Sequence, residues 1–491
     1  MNTPLRRVAL AVLVMVGLLL ANSTYVQVFE AGSLRADPRN QRVLLDEYSR
    51  QRGQISADGQ VLASSVATDD RFKFLRTYPT DPAAYAPVTG YYSLQYGNAG
   101  IERAEDPVLN GSDDRLFGRR LFDLVSGRDP RGGNVALTLV PRVQQAAYDA
   151  MTAKGYTGAV VAIRPSTGEV LAMVSTPSYD PNALASHDAA VRAKAFTTLS
   201  DDPAKPLSNR AVSQTYPPGS TFKVVVAAAA LASGNTTPDT RLTAAPRITL
   251  PGTDTTLENY NGSTCGSGAT ATLTEAFARS CNTAFAELGI ATGTDAIRAQ
   301  AEALGITGNP PDIPLPVATS TLGPIVDKAA LGQSSIGQRD VRLTPLENAV
   351  IAATVANGGK RMQPYLVSEV QAPDLTSLQT TKPTSLGQAI SPGVDATLTQ
   401  LMIDAENDAG GTGKINGIQI ASKTGTAEHG SDPKQTPPHA WYIAFAPAQN
   451  PQVAVAVVVL NGGDRGLDAV GATVAGPIGR ATIAAALQGG Q

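Results

Sequence analysis

The sequence predicts a mixed α+β fold that follows a single N-terminal membrane helix. Two β-rich runs flank a Pro-Ser-Thr-Gly turn within residues 158–176, apolar helical stretches dominate residues 220–360, and three more β-rich runs occur within residues 418–462. Strands on both sides of a helical region indicate an antiparallel sheet flanked by helices, with a helical subdomain between its two halves. We therefore expect one mixed domain in this part of the chain.

An apolar run near the N-terminus predicts the membrane helix. Arg6 and Arg7 precede a stretch without charge that runs from Val8 to Phe29, and this is long enough to cross a bilayer. The two arginines favour a cytoplasmic N-terminus, so the rest of the chain would lie outside. A cleaved signal peptide is the alternative, but no small-x-small cleavage site follows the apolar core. We expect residues 1–29 to form a cytoplasmic tip and a single-pass anchor in the cell membrane.

The chain is expected to divide near residue 140. Residues 30–140 combine charged patches with turn-rich segments such as "TDPAAYAPVTGYY" and show no long helix pattern, which predicts a separate N-terminal domain. A predicted strand and helix within residues 131–155 mark its boundary with a second domain over residues 141–491. In that domain, helices are predicted for "TPLENAVIAATVANGG", where two glycines end the helix, and for the closing "GPIGRATIAAALQ".

Composition excludes several classes of function. The formal net charge is −3 and Lys and Arg do not cluster beyond the N-terminus, so no nucleic-acid partner is expected. Three histidines and two cysteines, with no pair at ligand spacing, predict no metal site. The segment "GGTGKI" is similar to a phosphate loop, but Asp408 and Ile415 occupy positions that such a loop gives to Gly and Ser/Thr. No cofactor is expected.

Ser220 and Lys223 are the polar pair that most needs an explanation. They lie three positions apart at the start of a Val/Ala-rich run, after a Pro-Pro-Gly turn, where Ser220 takes the position of a helix N-cap. Side chains at this spacing share one face of a helix, so the hydroxyl and the ammonium are expected to be neighbours. A capping serine beside a solvated lysine is the alternative. A helix that is apolar all round is, however, an unfavourable place for a charge without a task.

Two further motifs accompany this pair. Ser280-Cys281-Asn282 follows in a helical region, and Lys423-Thr424-Gly425 lies on a predicted strand near the end of the chain. Each tripeptide alone is a weak indication. The ordered set of Ser-x-x-Lys, Ser-x-Asn and Lys-Thr-Gly is the motif set of penicillin-binding proteins and class A β-lactamases.

Longer segments extend this resemblance over nearly the whole chain. The stretch "RQRGQISADGQVLASS" is similar to the Arg-Gly-x-Ile segment that opens the non-catalytic pedestal domain of class B penicillin-binding proteins. The segments similar to their transpeptidase domain are "NRAVSQTYPPGSTFK", "GQSSIGQRDVRLTPLENA", "GGTGKINGIQIASKTGTAE" and "HAWYIAFAP". The chain thus resembles a class B, monofunctional penicillin-binding protein of the penicillin-binding protein A type. Cys281 within Ser-x-Asn and Ser422 before Lys-Thr-Gly depart from the usual pattern, and neither removes a catalytic group.

The resemblance implies an acyl-transfer site. Ser220 would be the nucleophile, and Lys223, which can be neutral in an apolar pocket, would be its base. Ser280 would deliver the proton to the leaving amine, and Asn282 would hold a substrate amide.

The third motif would bind the substrate. Lys423 and Thr424 would receive its terminal carboxylate, and Gly425 would let its backbone approach the strand edge. The family also implies an oxyanion hole made by the backbone N–H groups of Ser220 and Thr426.

The function expected from these roles is that of a peptidoglycan D,D-transpeptidase, which β-lactams would acylate, acting in cell division or elongation. Stem peptides would be its substrates. A membrane glycan polymerase would be its partner, because residues 30–140 are too short a segment for a glycosyltransferase domain. A D,D-carboxypeptidase or β-lactamase-like hydrolase remains the alternative, as does a penicillin-binding scaffold without turnover. The absence of Gly-x-Ser-x-Gly around Ser220 argues against an α/β-hydrolase triad.

The two cysteines are predicted to form a disulfide. Cys265 and Cys281 are near each other in the sequence, and two free thiols would be unusual in an exported protein. The alternative is that Cys281 is a small buried apolar residue.

Overall fold

The computed structural model describes residues 2–30, 48–118, 131–430 and 432–488. Its α-helices are, in chain order, α1 (Asn2–Thr24), α2 (Pro82–Thr89), α3 (Gly100–Ala104), α4 (Asp106–Leu109), α5 (Pro141–Thr152), α6 (Asn182–Ala185), α7 (Ala189–Asp201), α8 (Arg210–Ser213), α9 (Lys223–Ala232), α10 (Leu273–Ala278), α11 (Asn282–Thr292), α12 (Thr294–Ala303), α13 (Lys328–Ser334), α14 (Pro345–Ala356), α15 (Pro392–Asp408) and α16 (Gly471–Leu487).

The strands form two large sheets and several two-stranded ones. They are β1 (Ile55–Ala57), β2 (Gln60–Ala67), β3 (Phe74–Thr77), β4 (Tyr92–Ser93), β5 (Gly97–Asn98), β6 (Asn134–Leu137), β7 (Gly158–Ile163), β8 (Val170–Thr176), β9 (Arg241–Thr243), β10 (Arg247–Thr249), β11 (Thr256–Glu258), β12 (Thr270–Thr272), β13 (Lys360–Met362), β14 (Val367–Gln371), β15 (Ser377–Thr380), β16 (Ser385–Gln388), β17 (Ala421–Ala427), β18 (His439–Ala446) and β19 (Val453–Val459).

The larger domain is organised around a five-stranded antiparallel sheet with strand order β17-β18-β19-β7-β8. Strands from both ends of the domain meet in it, which confirms the predicted fold class. Every residue of β7, β8, β18 and β19 is buried, because α5 and α16 cover one face and α14 packs against the other. The sheet has a free edge at β17, the strand that carries Lys-Thr-Gly.

The second sheet has six strands, in the order β15-β14-β6-β1-β2-β3. Strand β1 pairs in parallel with β6, and β6 pairs antiparallel with β14. Strands β14 and β15 follow Lys360 in sequence, so the larger domain completes a sheet that begins in the N-terminal region. This pairing was not predicted.

The predicted Arg-Gly-x-Ile segment begins the N-terminal sheet beside a buried charge network. Arg52 Nε lies 2.7 Å from Glu102 Oε2, and Arg76 Nε lies 2.6 Å from Glu102 Oε1. The side chain of Glu102 is fully buried, and the two guanidinium groups hold its pKa below the usual range, against the opposing effect of burial. The carboxylate therefore joins the chain before β1 to β3.

Three local predictions need correction. Ser220 lies within the 3₁₀ turn Gly219–Phe222 that leads into α9, and its side chain does not cap the helix. The turn-rich segment after Thr80 contains α2, with Pro87 inside it. Helices do dominate residues 220–360, but strands β9 to β12 form two small sheets among them, because such short strands carry too little periodicity to be predicted.

The N-terminal helix agrees with the predicted membrane segment. Residues Thr3–Phe29, which include a final π-helical turn over Tyr25–Phe29, are long and apolar enough to cross a bilayer. Within the described residues no other helix meets both conditions, and no part of this one is buried against the rest of the chain.

Candidate active site

The turn that carries Ser220 lies directly against the edge strand β17. A Cβ on Gly219, whose φ is +54°, would lie 2.8 Å from the carbonyl oxygen of Thr426. A Cβ on Gly425 would lie 2.9 Å from the carbonyl oxygen of Pro218. Both positions need glycine because the two backbones approach so closely. Trp441 Nε1 donates a 2.9 Å hydrogen bond to Pro217 O, which ties the turn to β18 as well.

Lys223 is fully buried at the start of α9. Its Nζ donates hydrogen bonds to Ser280 O at 2.7 Å and to Asn282 Oδ1 at 2.9 Å, and it lies 3.4 Å from Ser280 Oγ. The aromatic ring of Phe285 lies 5.4 Å from the same atom. A neutral lysine has two N–H donors, which these two bonds use, so its lone pair remains available.

Lys423 approaches Ser280 from the opposite side. Its side chain is buried, and Nζ donates to Ser280 Oγ at 2.8 Å and to Thr424 O at 3.0 Å. The hydroxyl of Ser280 therefore lies between two lysine amines that come from a helix and a strand far apart in the sequence.

Burial weakens the basicity of both lysines. It is the main cause that lowers the pKa of Lys223 well below that of a lysine in water, and the charge of Lys423 lowers it further. Burial also lowers the pKa of Lys423 to about 7, although the Asp408 carboxylate opposes the shift. Two ammonium groups around one hydroxyl disfavour each other, which favours a neutral amine at this site.

The other predicted residues lie around this centre. Ser220 is partly exposed, and among the described residues its Oγ has no hydrogen-bond partner. Thr424 and Thr426 are partly exposed on the free edge strand. The structure thus brings all three motifs together within one site.

Asn282 is held more firmly than its predicted role required. Its Oδ1 accepts from Lys223, and its Nδ2 donates to Glu258 O at 3.0 Å. A carboxamide has two N–H donors and two acceptor positions, so one of each remains for a further amide.

The Ser-x-Asn motif has an unusual backbone. Ser280 has a φ of +59°, in the left-handed region that non-glycine residues rarely adopt. The next residue, Cys281, is joined to Cys265 by a disulfide with a Cα–Cα distance of 5.8 Å, and both cysteines are buried. Covalent and hydrogen-bonded neighbours therefore hold a conformation that costs about 1–2 kcal/mol for an ordinary residue.

Sequence reasoning missed one group behind the strand. Ser422 Oγ donates to Glu406, a buried carboxylate near the end of α15. Acidic side chains are unfavourable in the last turn of a helix, so the acidic run "DAEND" was an available indication that one of them has a specific partner.

Comparisons with known proteins agree with this geometry. Residues 158–484 match the penicillin binding protein transpeptidase domain, and residues 52–135 match the penicillin binding protein A dimerisation domain. The peptidoglycan D,D-transpeptidase PbpA of Mycolicibacterium smegmatis is 65% identical over 494 aligned residues, and that of Mycobacterium tuberculosis is 63% identical over 492. Each alignment covers 100% of both chains.

Solved structures give the same result. Penicillin-binding protein A from M. tuberculosis, as a ceftriaxone acyl-enzyme complex, matches with a TM-score of 0.89 at 62% identity, over 90% of this chain and 100% of that one. Its penicillin G acyl-enzyme complex matches with a TM-score of 0.86 at 62% identity, over 89% of this chain and 100% of that one. The resemblance inferred from the motifs is confirmed, and the chain belongs to the penicillin-binding protein transpeptidase family.

Proposed function

We propose that this chain is a peptidoglycan D,D-transpeptidase that cross-links stem peptides through an acyl-enzyme on Ser220 and is acylated by β-lactams at the same residue. The observation that carries the proposal is the position of Ser280 Oγ between Lys223 and Lys423, next to the turn that presents Ser220. Its relatives in M. smegmatis and M. tuberculosis are D,D-transpeptidases, and the M. tuberculosis protein forms acyl-enzymes with β-lactams.

Acylation begins at the Ser220 hydroxyl. Neutral Lys223 takes the hydroxyl proton while Oγ attacks the carbonyl carbon between the two terminal D-alanines, and the new C–O bond forms as the C–N bond breaks. Ser280, in contact with Lys223, passes the proton to the departing amine of D-alanine. The backbone N–H groups of Ser220 and Thr426 stabilise the charge on the carbonyl oxygen. An amine of a neighbouring stem peptide then repeats the sequence in reverse and takes the acyl group.

The substrate lies along the free edge of β17. An extended peptide can pair with an edge strand, and Gly425 leaves room for its backbone. Protonated Lys423, with the hydroxyl of Thr424, attracts the terminal carboxylate, while the remaining donor and acceptor of Asn282 bind a substrate amide. A bound carboxylate raises the pKa of Lys423, which favours the charged form that binding requires.

The first test separates transpeptidation from its alternatives. Full-length protein in detergent is supplied with lipid-linked precursor and a glycan polymerase that cannot cross-link. We expect cross-linked dimers from the wild type and none from Ser220→Ala. Trimmed peptides without dimers would indicate a carboxypeptidase, and penicillin binding without either product would indicate a scaffold. Omitting the polymerase is expected to abolish glycan strands, since we assign chain polymerisation to a partner in the division or elongation machinery.

A second prediction concerns the two lysines. Labelled penicillin should attach to Ser220, and Ser220→Ala should abolish the label in a folded protein. Loss of the base in Lys223→Ala should slow acylation by about 10²- to 10⁴-fold. Lys423→Ala should slow it by only about 10- to 100-fold, because it removes a charge-assisted contact of about 1.5–3 kcal/mol.

The control for that series is Lys194→Ala, which alters a lysine on α7, away from the three motifs, and should acylate as the wild type does. Near-normal acylation by Lys223→Ala would show that the base is another group.

A third prediction concerns the disulfide. We infer that the Cys265–Cys281 bond holds Ser280 and Asn282 in place, in addition to a stabilisation of about 3 kcal/mol for closing a loop of this length. Reduction should therefore slow acylation several-fold and lower the Tm without altering Ser220. Intact mass after alkylation, with and without reductant, reports the bond. Two alkyl groups on the untreated exported protein would show that the disulfide does not exist. An unchanged acylation rate after reduction would show that the disulfide contributes to stability alone.

A fourth prediction concerns localisation. We infer that the helix over Thr3–Phe29 is an uncleaved single-pass anchor, and that Arg6 and Arg7 keep its N-terminus in the cytoplasm. The protein should stay in the membrane fraction at high salt and leave it in detergent, and protease added outside spheroplasts should digest the catalytic domain. A mature N-terminus after Ala21 would instead indicate a processed export signal.

A further inference from the structure

We propose that Glu406 is a positioning residue that sets the place of the substrate-binding strand β17. The inference rests on the function proposed above and extends it, since it assigns a residue that supports Lys423 and Thr424 without touching the substrate. It is based on a buried hydrogen-bond network on the side of the sheet opposite Lys423.

Glu406 receives donors from three separate elements. Its Oε2 accepts from Ser422 Oγ on β17 and, at 3.0 Å, from Tyr442 Oη on β18. Its Oε1 accepts from Arg480 Nε on α16 at 2.8 Å. Burial and the Glu406 carboxylate raise the pKa of Tyr442 far above its usual value, so its hydroxyl remains a donor. All four side chains are buried, where charge-assisted hydrogen bonds are strongest.

Both strand donors are placed next to the Lys-Thr-Gly motif. Ser422 immediately precedes Lys423, and alternation along the strand directs their side chains to opposite faces. Tyr442 is the residue paired with Thr424 across the ladder. The network therefore holds β17 through Ser422, the residue before Lys423, and holds β18 through Tyr442, the ladder partner of Thr424.

The same network also orders the chain that enters β17. Arg480 donates to Thr412 O at 2.9 Å and to Gly410 O at 3.3 Å, and Lys414 Nζ donates to Glu406 O at 3.1 Å. These acceptors and Lys414 lie in or beside the connection from α15 to β17. Glu406 thus holds the connection and the strand together.

Helix α15 connects this network to the other half of the site. It packs against β17 and against α10, the helix that leads into Ser280. Lys423 lies on β17 and Ser280 follows α10. The distance between Lys423 Nζ and Ser280 Oγ therefore depends on how α15 packs against both of these elements. Ser422 departs from the usual family pattern before Lys-Thr-Gly. The hydrogen bond that its hydroxyl donates to Glu406 gives this departure a structural reason.

The sharpest test removes the two strand donors and keeps the Arg480–Glu406 ion pair. In the Ser422→Ala/Tyr442→Phe variant the buried carboxylate still has its guanidinium partner, so we expect the protein to fold. Stopped-flow acylation of the full-length protein by fluorescent penicillin, over a range of concentrations, separates the dissociation constant of the non-covalent complex from the acylation rate constant. We expect the dissociation constant to rise at least about tenfold, which corresponds to a loss of about 1.4 kcal/mol from the contact between a displaced Lys423 and the carboxylate. The acylation rate constant should change less.

The matched control is Tyr78→Phe. Tyr78 Oη also donates to a carboxylate buried between arginines, Glu102, at 3.2 Å, but in the N-terminal domain. This variant should lower the Tm by a comparable amount and leave both kinetic constants unchanged.

Each other outcome contradicts the inference. Constants within about twofold of wild type in the double variant, an equal loss in Tyr78→Phe, or a loss confined to the acylation rate constant would refute a role in placing the strand. These results are distinguishable from failure of the proposed function, in which the wild type itself would not be acylated on Ser220.

Discussion

The site depends on the placement of two lysine amines around a single buried hydroxyl. Water would solvate both ammonium groups, but here burial lowers both pKa values, and the charge of Lys423 adds to the effect on Lys223. The Val/Ala-rich sequence of α9 is the reason, since its residues are buried on all sides from Lys223 to Leu231. The apolar helix α9 disfavours a charged lysine but favours a neutral one. It is therefore a suitable place for Lys223 to act as a base.

Close backbone packing is the second requirement of this site. The Ser220 turn and β17 approach within a distance that only glycine permits at Gly219 and Gly425, and Trp441 ties the turn to β18. The five-stranded sheet supplies the rigid support, because β18, β19, β7 and β8 are buried at every residue. Its edge strand β17 stays open, and an open edge is normally a liability for pairing with other chains. In the proposed function, the substrate peptide pairs with this open edge.

The sequence was sufficient to predict the parts of the site that are encoded locally. The order of the three motifs predicted that Ser220, Lys223, Ser280 and Lys423 belong to one site, and the five strands of the central sheet followed from their apolar runs. The pairing of β6 with β14 could not be predicted, because it joins segments far apart in the sequence and neither carries a motif. The second partner of Asn282, Glu258 O, and the donors to Glu406 also depend on tertiary contacts that no local spacing reports.

The irregular backbone at Ser280 shows how a local motif depends on tertiary contacts. A left-handed serine is unfavourable on its own, yet it lets the residue expose its carbonyl oxygen to Lys223 and its hydroxyl to both lysines. The neighbouring disulfide and the hydrogen bond from Asn282 Nδ2 to Glu258 O compensate for that cost with interactions that touch no reacting atom. These interactions stabilise a backbone conformation at Ser280 that the chain would not adopt by itself. Such compensation is expected where backbone strain persists at a functional site. Cys281 has a physical reason to replace the polar residue usual in this motif, because only a cysteine at that position can add a covalent constraint between Ser280 and Asn282.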